Sequence, residues 1–180
     1  MATEIQPIFE TARLRLRPCT ERDLDGLHAA VGDPEAMRYW DGPLYADRDE
    51  TARLLRWLMK PNLYSHVGWA VAGREDDACR GFVNYHHRES RDRRLEVGYI
   101  LAPRYWRQGL MTEAMIPFLK HCFETLKTHR AEAYIDPGNL ASCRLIEGLG
   151  FKRESGVIRD RWRIDDSYRS AVLYARLDTD

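Results

Sequence analysis

The chain has 180 residues, of which 44% are hydrophobic, and its 28 basic and 28 acidic side chains cancel. A chain of this length folds as one ordinary domain, and the balanced charge excludes a general electrostatic attraction to nucleic acid or membranes. It has no apolar run of about 18 residues, and Met1 to Pro7 lack the features of a signal peptide. Residues 1–180 are therefore predicted to form a single domain that binds neither nucleic acid nor membrane.

The four cysteines are too scattered to form a metal site or a disulfide scaffold. They are Cys19, Cys79, Cys122 and Cys143, and no two of them form a C-x-x-C pair. No pair of histidines has zinc-finger spacing either. This usage is typical of a reducing compartment, so we expect a cytoplasmic protein without a bound metal.

The first third of the chain predicts one strand followed by three helices. Charged and apolar residues alternate from Arg13 to Arg17, as in a half-buried strand, and Pro18 ends the run. Polar caps mark where the helices begin. The predicted helices run from a cap at Thr20 to about Ala30, over a short stretch from Asp33-Pro34, and from a cap at Asp47 to a stop at Pro61.

Three strand-like runs with short polar connections follow and predict an antiparallel meander. They are Gly68–Ala72, Gly81–His86 and Leu95–Leu101. After a long helix, a strand predicted at Ala131–Ile135 is reached by a helical crossover and should therefore run parallel to its neighbour. Asn139 then caps a helix that ends at Gly148 and Gly150, and two final strands are predicted at Val157–Ile164 and Ser170–Leu177.

The most informative stretch is a strand, a turn and a helix between Leu95 and Glu124. Pro103 ends the strand because it has no N–H to donate, and Gly109 permits a tight turn. Apolar residues at helical spacing follow: Met111, Ala114, Met115, Phe118, Leu119, Cys122, Phe123 and Leu126. Pro117 should kink this helix but leave its first turn intact, and the free N–H groups of a first turn bind phosphate readily. The glycine spacing matches neither the P-loop nor the dinucleotide motif G-x-G-x-x-G.

Gly98 to Ala114 resembles, nearly position for position, the pyrophosphate loop of the GNAT superfamily of acetyltransferases, in the RimJ/RimL-like branch. A second block, Asn139 to Phe151, is similar to the family's N-x-x-S-x-R-x-x-E-K-x-G-F, and Thr11 to Pro18 looks like the start of this branch. Two blocks in the right order are much more specific than one. The resemblance implies an α/β domain whose central, mixed, mostly antiparallel sheet of seven strands is flanked by helices and splayed near Leu101.

The resemblance also implies acetyl-CoA as cosubstrate, although a plain strand-turn-helix is the alternative. The pantetheine arm would pair with the strand ending at Leu101, and the amides of the following turn would meet the pyrophosphate. The predicted binding residues are Tyr99, Ile100, Leu101, Arg107, Gln108, Gly109, Leu110, Met111, Thr112, Asn139 and Ser142. Trp106 and Met111 depart from the wider superfamily's pattern, as they often do in this branch.

Glu96 is the candidate general base. In a strand it shares a face with Gly98 and Ile100, and a carboxylate among apolar neighbours is expected to have a raised pKa that suits proton abstraction. The alternative is a structural salt bridge with Arg94 or Arg153.

Ser142 is the candidate partner of the leaving thiol, because it matches the branch's serine at that position. The alternative is a first-turn serine that bonds only to helix backbone. Asn139 is interpreted both as the helix cap and as a polar contact to the cosubstrate. Cys143 is not expected to act as a nucleophile, since direct transfer is the rule in the family and no histidine is placed by sequence to activate it.

A metal site at His86 and His87 is considered and rejected, because adjacent strand residues point to opposite faces of a sheet. Four aromatic residues of the first half are interpreted mainly as core: Trp40, Tyr45, Tyr64 and Trp69. Trp57 is assigned to the buried stripe of the helix that Asp47 caps. The acceptor site is nevertheless expected near Tyr39–Tyr45.

The sequence therefore predicts an N-acetyltransferase that uses direct attack in a ternary complex. The acceptor is first assigned as a protein N-terminal α-amine. A small amine (an amino acid, polyamine or antibiotic) is the alternative, and an acidic cleft beside Glu96 would favour it. A module that binds acyl-CoA without turnover is a third interpretation. The sequence leaves a monomer and a homodimer both open.

Overall fold

The computed structural model describes residues 6–180, which form a nine-stranded sheet with four α-helices. The strands are β1 (Phe9–Glu10), β2 (Leu14–Pro18), β3 (Val67–Gly73), β4 (Cys79–Glu89), β5 (Arg94–Leu101), β6 (Arg130–Ile135), β7 (Lys152–Arg153), β8 (Ile158–Ile164) and β9 (Ser167–Leu177). The helices are α1 (Leu24–Val31), α2 (Arg48–Leu58), α3 (Leu110–Lys120) and α4 (Leu140–Gly148). None of these helices has the length and apolar character needed to cross a bilayer. The signal-peptide prediction concerned residues 1–7, most of which lie outside the described residues.

The sheet follows the order β1-β2-β3-β4-β5-β6-β9-β7, with β8 paired to β9. Within residues 6–180, β5 and β6 run parallel and all other neighbouring pairs are antiparallel. The predicted mixed, mostly antiparallel α/β fold is confirmed, including the parallel strand after the crossover. The prediction of seven strands omitted β1 and β7, because two residues are too few to show an alternating pattern.

The predicted caps begin the helices. Thr20 and Asp23 form a capping box before α1, and the Asp47 carboxylate accepts the N–H of Glu50 at 2.8 Å at the start of α2. The predicted short helix is a 3-10 turn at Ala36–Tyr39. The long helix continues through Pro117, and its predicted apolar stripe runs past α3 into a π-turn at His121–Thr125.

Two apolar layers cover the two faces of the sheet. Helix α3 packs with Leu95, Val97 and Leu101 on one face, whereas α1 and α2 pack with Phe82 and Ile100 on the other. The alternation predicted for β5 is confirmed, since these residues fall on opposite sides. Glu96 therefore lies on the face that α1 and α2 cover.

Two of the aromatic residues predicted to be buried are exposed. Tyr64 is 77% exposed because it lies in the turn between α2 and β3, and Trp57, in the last turn of α2, is 40% exposed. The Trp57 ring stacks on His66 with the ring centroids 4.3 Å apart. Trp69 is fully buried, as predicted.

A gap opens between β5 and β6. Their paired residues end at Glu96 and Glu132, although β5 continues to Leu101 and β6 to Ile135. The strands thus separate earlier than the predicted position near Leu101. The indole N–H of Trp106 donates to the carbonyl of Leu101 at 2.8 Å and so closes the far end of the open edge.

A buried ion pair joins β2 to the start of α1. Both terminal nitrogens of Arg17 donate to the two carboxylate oxygens of Asp23 at 2.8 Å, and Nε of Arg17 donates to Asp77 at 2.8 Å. Burial by itself would raise the pKa of Asp23, but hydrogen bonds from Arg17 and from the Thr20 N–H hold that pKa below its usual value.

Candidate active site

Two cavities meet at the gap between β5 and β6. One, the loop cavity, has a volume of about 590 Å³ and lies beside the turn before α3. The other, the sheet cavity, has a volume of about 550 Å³ and lies over β4 and β5. Both are lined by the same five residues: Tyr39, Trp40, Tyr99, Asn139 and Ser142. Two ligands could therefore meet near Tyr99 and Ser142.

The turn before α3 presents free backbone donors to the loop cavity. Arg107 (φ 58°) and Gly109 (φ 72°) take left-handed conformations that fold the chain sharply into the helix. Within the described residues, the amides of Leu110, Met111 and Thr112 have no hydrogen-bond partner. Because first-turn amides and the positive helix end attract anions, this turn fits a diphosphate.

Almost all of the predicted cosubstrate residues line the loop cavity. They are Tyr99, Ile100, Leu101, Arg107, Gly109, Leu110, Met111, Thr112, Asn139 and Ser142. Gln108 is the exception, because its side chain turns back and donates to the carbonyl of Arg104 at 3.0 Å. Arg38 also lines this cavity and adds positive charge to its wall, a contribution that sequence reasoning missed.

A second missed feature, the loop clamp of Thr11, Arg13 and Glu113, fixes the same turn. The Glu113 carboxylate accepts hydrogen bonds from the Thr11 hydroxyl at 2.6 Å, the Arg13 N–H at 2.8 Å and Arg13 Nε at 2.7 Å. Arg13 Nη1 also donates to the carbonyl of Gln108 at 2.9 Å. These bonds tie the start of β2 to the turn. The only signal in the sequence was that all three residues lie within the segments that resemble the family, Thr11 to Pro18 and Gly98 to Ala114.

Glu96 lies under two histidines in the sheet cavity. Nε2 of His86 is 3.2 Å from Oε1, and Nδ1 of His87 is 3.2 Å from Oε2. The Glu96 side chain is 13% exposed. Burial alone would raise the pKa of Glu96, but the hydrogen bonds and charges of His86 and His87 outweigh it, so the pKa lies below its usual value.

The sequence-based predictions about this carboxylate are therefore wrong in two respects. Its pKa is lowered rather than raised, because its strand neighbours across β4 are imidazoles and not apolar groups. The expected arginine partners are elsewhere: Arg94 pairs with Glu132 at 3.6 Å, and Arg153 donates to the carbonyl of Ser155 at 3.0 Å.

The argument against a shared metal site at His86 and His87 is also wrong. His87 has a positive φ of 49°, and the pairing of β4 with β5 shifts between His86 and Glu89. This bulge interrupts the alternation of faces, so both imidazoles reach the same carboxylate. Possible ligand atoms of His86, His87 and Glu96 all lie within 4.8 Å of one another.

Ser142 faces a tyrosine rather than helix backbone. Its hydroxyl is 2.7 Å from the hydroxyl of Tyr99, while its N–H donates to the Asn139 side chain at 3.1 Å. Asn139 is thus the helix cap, as predicted. Burial raises the pKa of Tyr99, so its hydroxyl keeps a proton at neutral pH. The pair can donate a hydrogen bond or a proton toward the junction of the two cavities.

Asp41 supplies a second carboxylate to the sheet cavity, inside the stretch Tyr39–Tyr45 where the acceptor site was expected. Asp41 is exposed at the mouth of the cavity, yet the surrounding protein atoms raise its pKa; His86 opposes this effect, and the charge of Glu96 adds to it. A positively charged ligand between Asp41 and Glu96 would relieve that repulsion.

Comparison with known proteins identifies the family. Residues 13–152 match the acetyltransferase (GNAT) domain. The chain belongs to the GNAT family of acetyltransferases. It is 29% identical over 156 residues to the uncharacterized N-acetyltransferase YoaA of Bacillus subtilis, covering 85% of this chain and 86% of that protein. The GNAT chain is accordingly an N-acetyltransferase, an enzyme of the acyltransferase class that uses acetyl-CoA.

Solved structures share the fold. A GNAT-family acetyltransferase from Bacillus anthracis superposes with a TM-score of 0.83 at 22% identity, covering 97% of this chain and all (100%) of that one. Spermidine N-acetyltransferase from Vibrio cholerae, solved with CoA and spermine, superposes with a TM-score of 0.80 at 22% identity, covering 94% of this chain and 98% of that one.

Replacing Glu113 with glutamine should loosen the turn that precedes α3. The substitution removes the negative charge that pairs with Arg13 in the loop clamp. We therefore expect the free energy of unfolding to fall by about 1–2 kcal/mol and the affinity for acetyl-CoA to weaken. The pKa of Glu113 is lowered because its hydrogen bonds to Thr11 and Arg13 outweigh the effect of burial. The stabilisation is therefore present above the pKa of the unfolded chain and disappears as the pH falls through the folded pKa.

Urea unfolding at neutral pH measures this effect, and Glu124→Gln is the matched control. Glu124 pairs with Lys120 at 4.0 Å on an exposed helix surface, so its loss should change stability by less than about 0.5 kcal/mol. Equal stability for the two variants would contradict a supporting role for the loop clamp.

Proposed function

We propose that the enzyme transfers the acetyl group of acetyl-CoA directly to a primary amine, with both substrates bound together. The single observation that carries this proposal is the meeting of the loop cavity and the sheet cavity at Tyr99 and Ser142. Acetyl-CoA would fill the first and the acceptor would fill the second. CoA would then not have to leave before the amine binds, and no covalent acetyl-enzyme is needed.

The loop cavity fits acetyl-CoA at two points. The amides of Leu110 to Thr112, with Arg38 and Arg107 nearby, would hold the diphosphate. The pantetheine arm would pair with β5 where β6 has separated from it, in the manner of an added strand. The carbonyl of Leu101 already accepts a hydrogen bond from Trp106, so the pairing with pantetheine would end before Leu101.

Residues at the junction and in the sheet cavity support each proton movement of the reaction. The amine nitrogen bonds to the acetyl carbon, the carbon–sulfur bond breaks, and the departing sulfur takes a proton from the hydroxyl pair of Ser142 and Tyr99. Glu96 is ionised at neutral pH and would take the proton that the amine loses, directly or through water. Its lowered pKa makes Glu96 a weak base, but its charge suits it to hold an ammonium ion.

The lining of the sheet cavity favours a small cationic amine over the protein N-terminus first assigned. Four carboxylates line it: Asp41, Glu89, Glu96 and Asp136. Aromatic rings surround them: Tyr39, Trp40, Trp57, Tyr134 and Trp162. Carboxylates attract ammonium groups and aromatic faces add cation–π attraction, so a polyamine or a related amine fits this cavity best. The spermine complex of the Vibrio cholerae protein is consistent with that chemistry.

A thiol-release assay with a panel of acceptors tests the proposal. We expect turnover with spermidine or another di- or polyamine, and little with a tripeptide that offers only an N-terminal α-amine. Asp41→Asn should raise the KM for the cationic acceptor by about tenfold, because one of the four carboxylates that line the cavity is lost, while the KM for acetyl-CoA stays unchanged.

Asp166→Asn is the control, since Asp166 lies exposed in the turn between β8 and β9. Turnover with the tripeptide alone would return the acceptor to a protein N-terminus and the chain to a RimJ/RimL-like role. Thiol release from no acceptor on the panel would count against the small-amine assignment. Cytoplasmic location and the choice between monomer and homodimer stay predictions from the sequence.

A further inference from the structure

We propose that His86, His87 and Glu96 form a binding site for a divalent transition-metal ion of the zinc class. Each imidazole nitrogen lies 3.2 Å from a different oxygen of the Glu96 carboxylate, and the possible ligand atoms all lie within 4.8 Å of one another. Around a tetrahedral zinc ion with bonds of about 2.0–2.1 Å, neighbouring ligand atoms are about 3.3 Å apart. Both nitrogen–oxygen distances are therefore close to ligand spacing.

The cluster differs from an ordinary ion pair in the number of imidazoles and in their distance from the carboxylate. A charge-assisted hydrogen bond is usually about 2.7–2.9 Å long. The pair of His129 with Asp178 elsewhere on the protein has that length, at 2.7 Å, with one imidazole facing one carboxylate. In the cluster, two imidazoles converge on one carboxylate and both are farther away. That arrangement leaves room for an ion between the three groups.

Residues around the cluster can orient a ligating imidazole and balance the charge of a metal ion. The side-chain nitrogen of Asn84 lies 3.2 Å from Nδ1 of His86. Rotation of the amide by about 180° would bring its oxygen to Nδ1 instead, hold a proton there and free Nε2 for metal. Asp41 lines the same cavity and interacts electrostatically with the cluster. With neutral imidazoles, Asp41 and Glu96 together balance the charge of a divalent ion.

His87 can complete the site with a small movement. Its side chain is 73% exposed, and it lies at the bulge of β4, where the register with β5 is already interrupted. Three protein ligands leave at least one coordination position open toward the sheet cavity. Since that is where the proposed function places the acceptor, a bound metal ion should exclude the amine but not acetyl-CoA.

Titration of the metal-free, full-length protein with Co²⁺ tests the site without measuring activity. We expect one ion per chain and the intense visible absorption of four- or five-coordinate Co²⁺, displaced by Zn²⁺. His87→Asn and Glu96→Gln should each weaken binding by about tenfold or more. His129→Asn is the matched control, because it removes an imidazole from a two-group cluster, and it should leave the affinity unchanged.

Binding of Co²⁺ to His87→Asn as tightly as to the parent protein would overturn the proposal. A sulfur-to-cobalt charge-transfer band would overturn it as well, because the ligand would then be a thiolate such as Cys143. Steady-state kinetics test whether the bound metal excludes the amine. Zn²⁺ should raise the KM for the amine and leave the KM for acetyl-CoA unchanged. Metal binding without that pattern would contradict the placement of the acceptor, which rests on the proposed function, and support the metal site alone.

Discussion

The variant Gly109→Asp is expected to lose acetyl-CoA binding almost completely. Gly109 immediately precedes α3, at the point where the chain turns into the free amides of Leu110 to Thr112. A carboxylate there would place a like charge against the incoming diphosphate and compete for the same N–H groups. We expect the affinity to fall by about 100-fold or more, measured by isothermal titration with CoA or acetyl-CoA.

Two further variants separate the effect of charge from that of backbone conformation. Gly109 has φ 72°, which costs a non-glycine residue about 1–2 kcal/mol, so Gly109→Ala should lower stability but retain much of the affinity. An added Cβ would meet only an Arg13 nitrogen, at 3.7 Å, and so would not clash. Gly156→Asp places the same charge at an uncrowded glycine away from the turn and should bind normally. Undiminished binding by Gly109→Asp would remove the phosphate assignment.

The variant Asp23→Asn should cost more stability than any other single polar change proposed in this molecule. The Arg17 guanidinium would lose its bidentate partner inside the protein, and only Asp77 would remain to compensate the charge. Breaking one side of a buried ion pair costs about 3–5 kcal/mol. Urea unfolding would measure the loss, and Asp25→Asn is the control because its pair with Arg48 is exposed and should contribute less than about 1 kcal/mol.

The pH dependence of unfolding gives the same prediction a second test. The folded-state pKa of Asp23 lies below that of the unfolded chain, which is about 3.9. Its contribution is therefore complete above the unfolded pKa and is lost as the pH falls through the folded pKa. The difference between parent and Asp23→Asn should be constant at neutral pH and shrink in acid. A difference that grows in acid would contradict this account of the ion pair.

The predictions that succeeded rest on information held within a short stretch of chain. Asp47 and Asn139 could be placed as caps because a cap is defined by its nearest neighbours in sequence. The faces of β5 followed from strict alternation. The turn before α3 was predicted from one block of consecutive residues, and all of the binding residues predicted within that block except Gln108 line the cavity beside it.

The predictions that failed depend on backbone exceptions or distant partners. The sequence around His87 does not indicate that this residue has a φ of 49°. The convergence of His86 and His87 on Glu96 therefore could not be predicted. The pKa of Glu96 was predicted with the wrong sign for the same reason. The contribution of Asp41 depends on how a long connector folds over the sheet, which periodicity does not specify.

The bond between the Arg13 N–H and Glu113 spans 100 positions of the chain. Closing so long a segment costs more conformational entropy than forming a helix or a hairpin, whose contacts are local in sequence. The turn proposed to receive acetyl-CoA is therefore completed only after the two ends of that segment have come together. We therefore expect a nascent chain to bind the cosubstrate only after Glu113 and the first turn of α3 have left the ribosome.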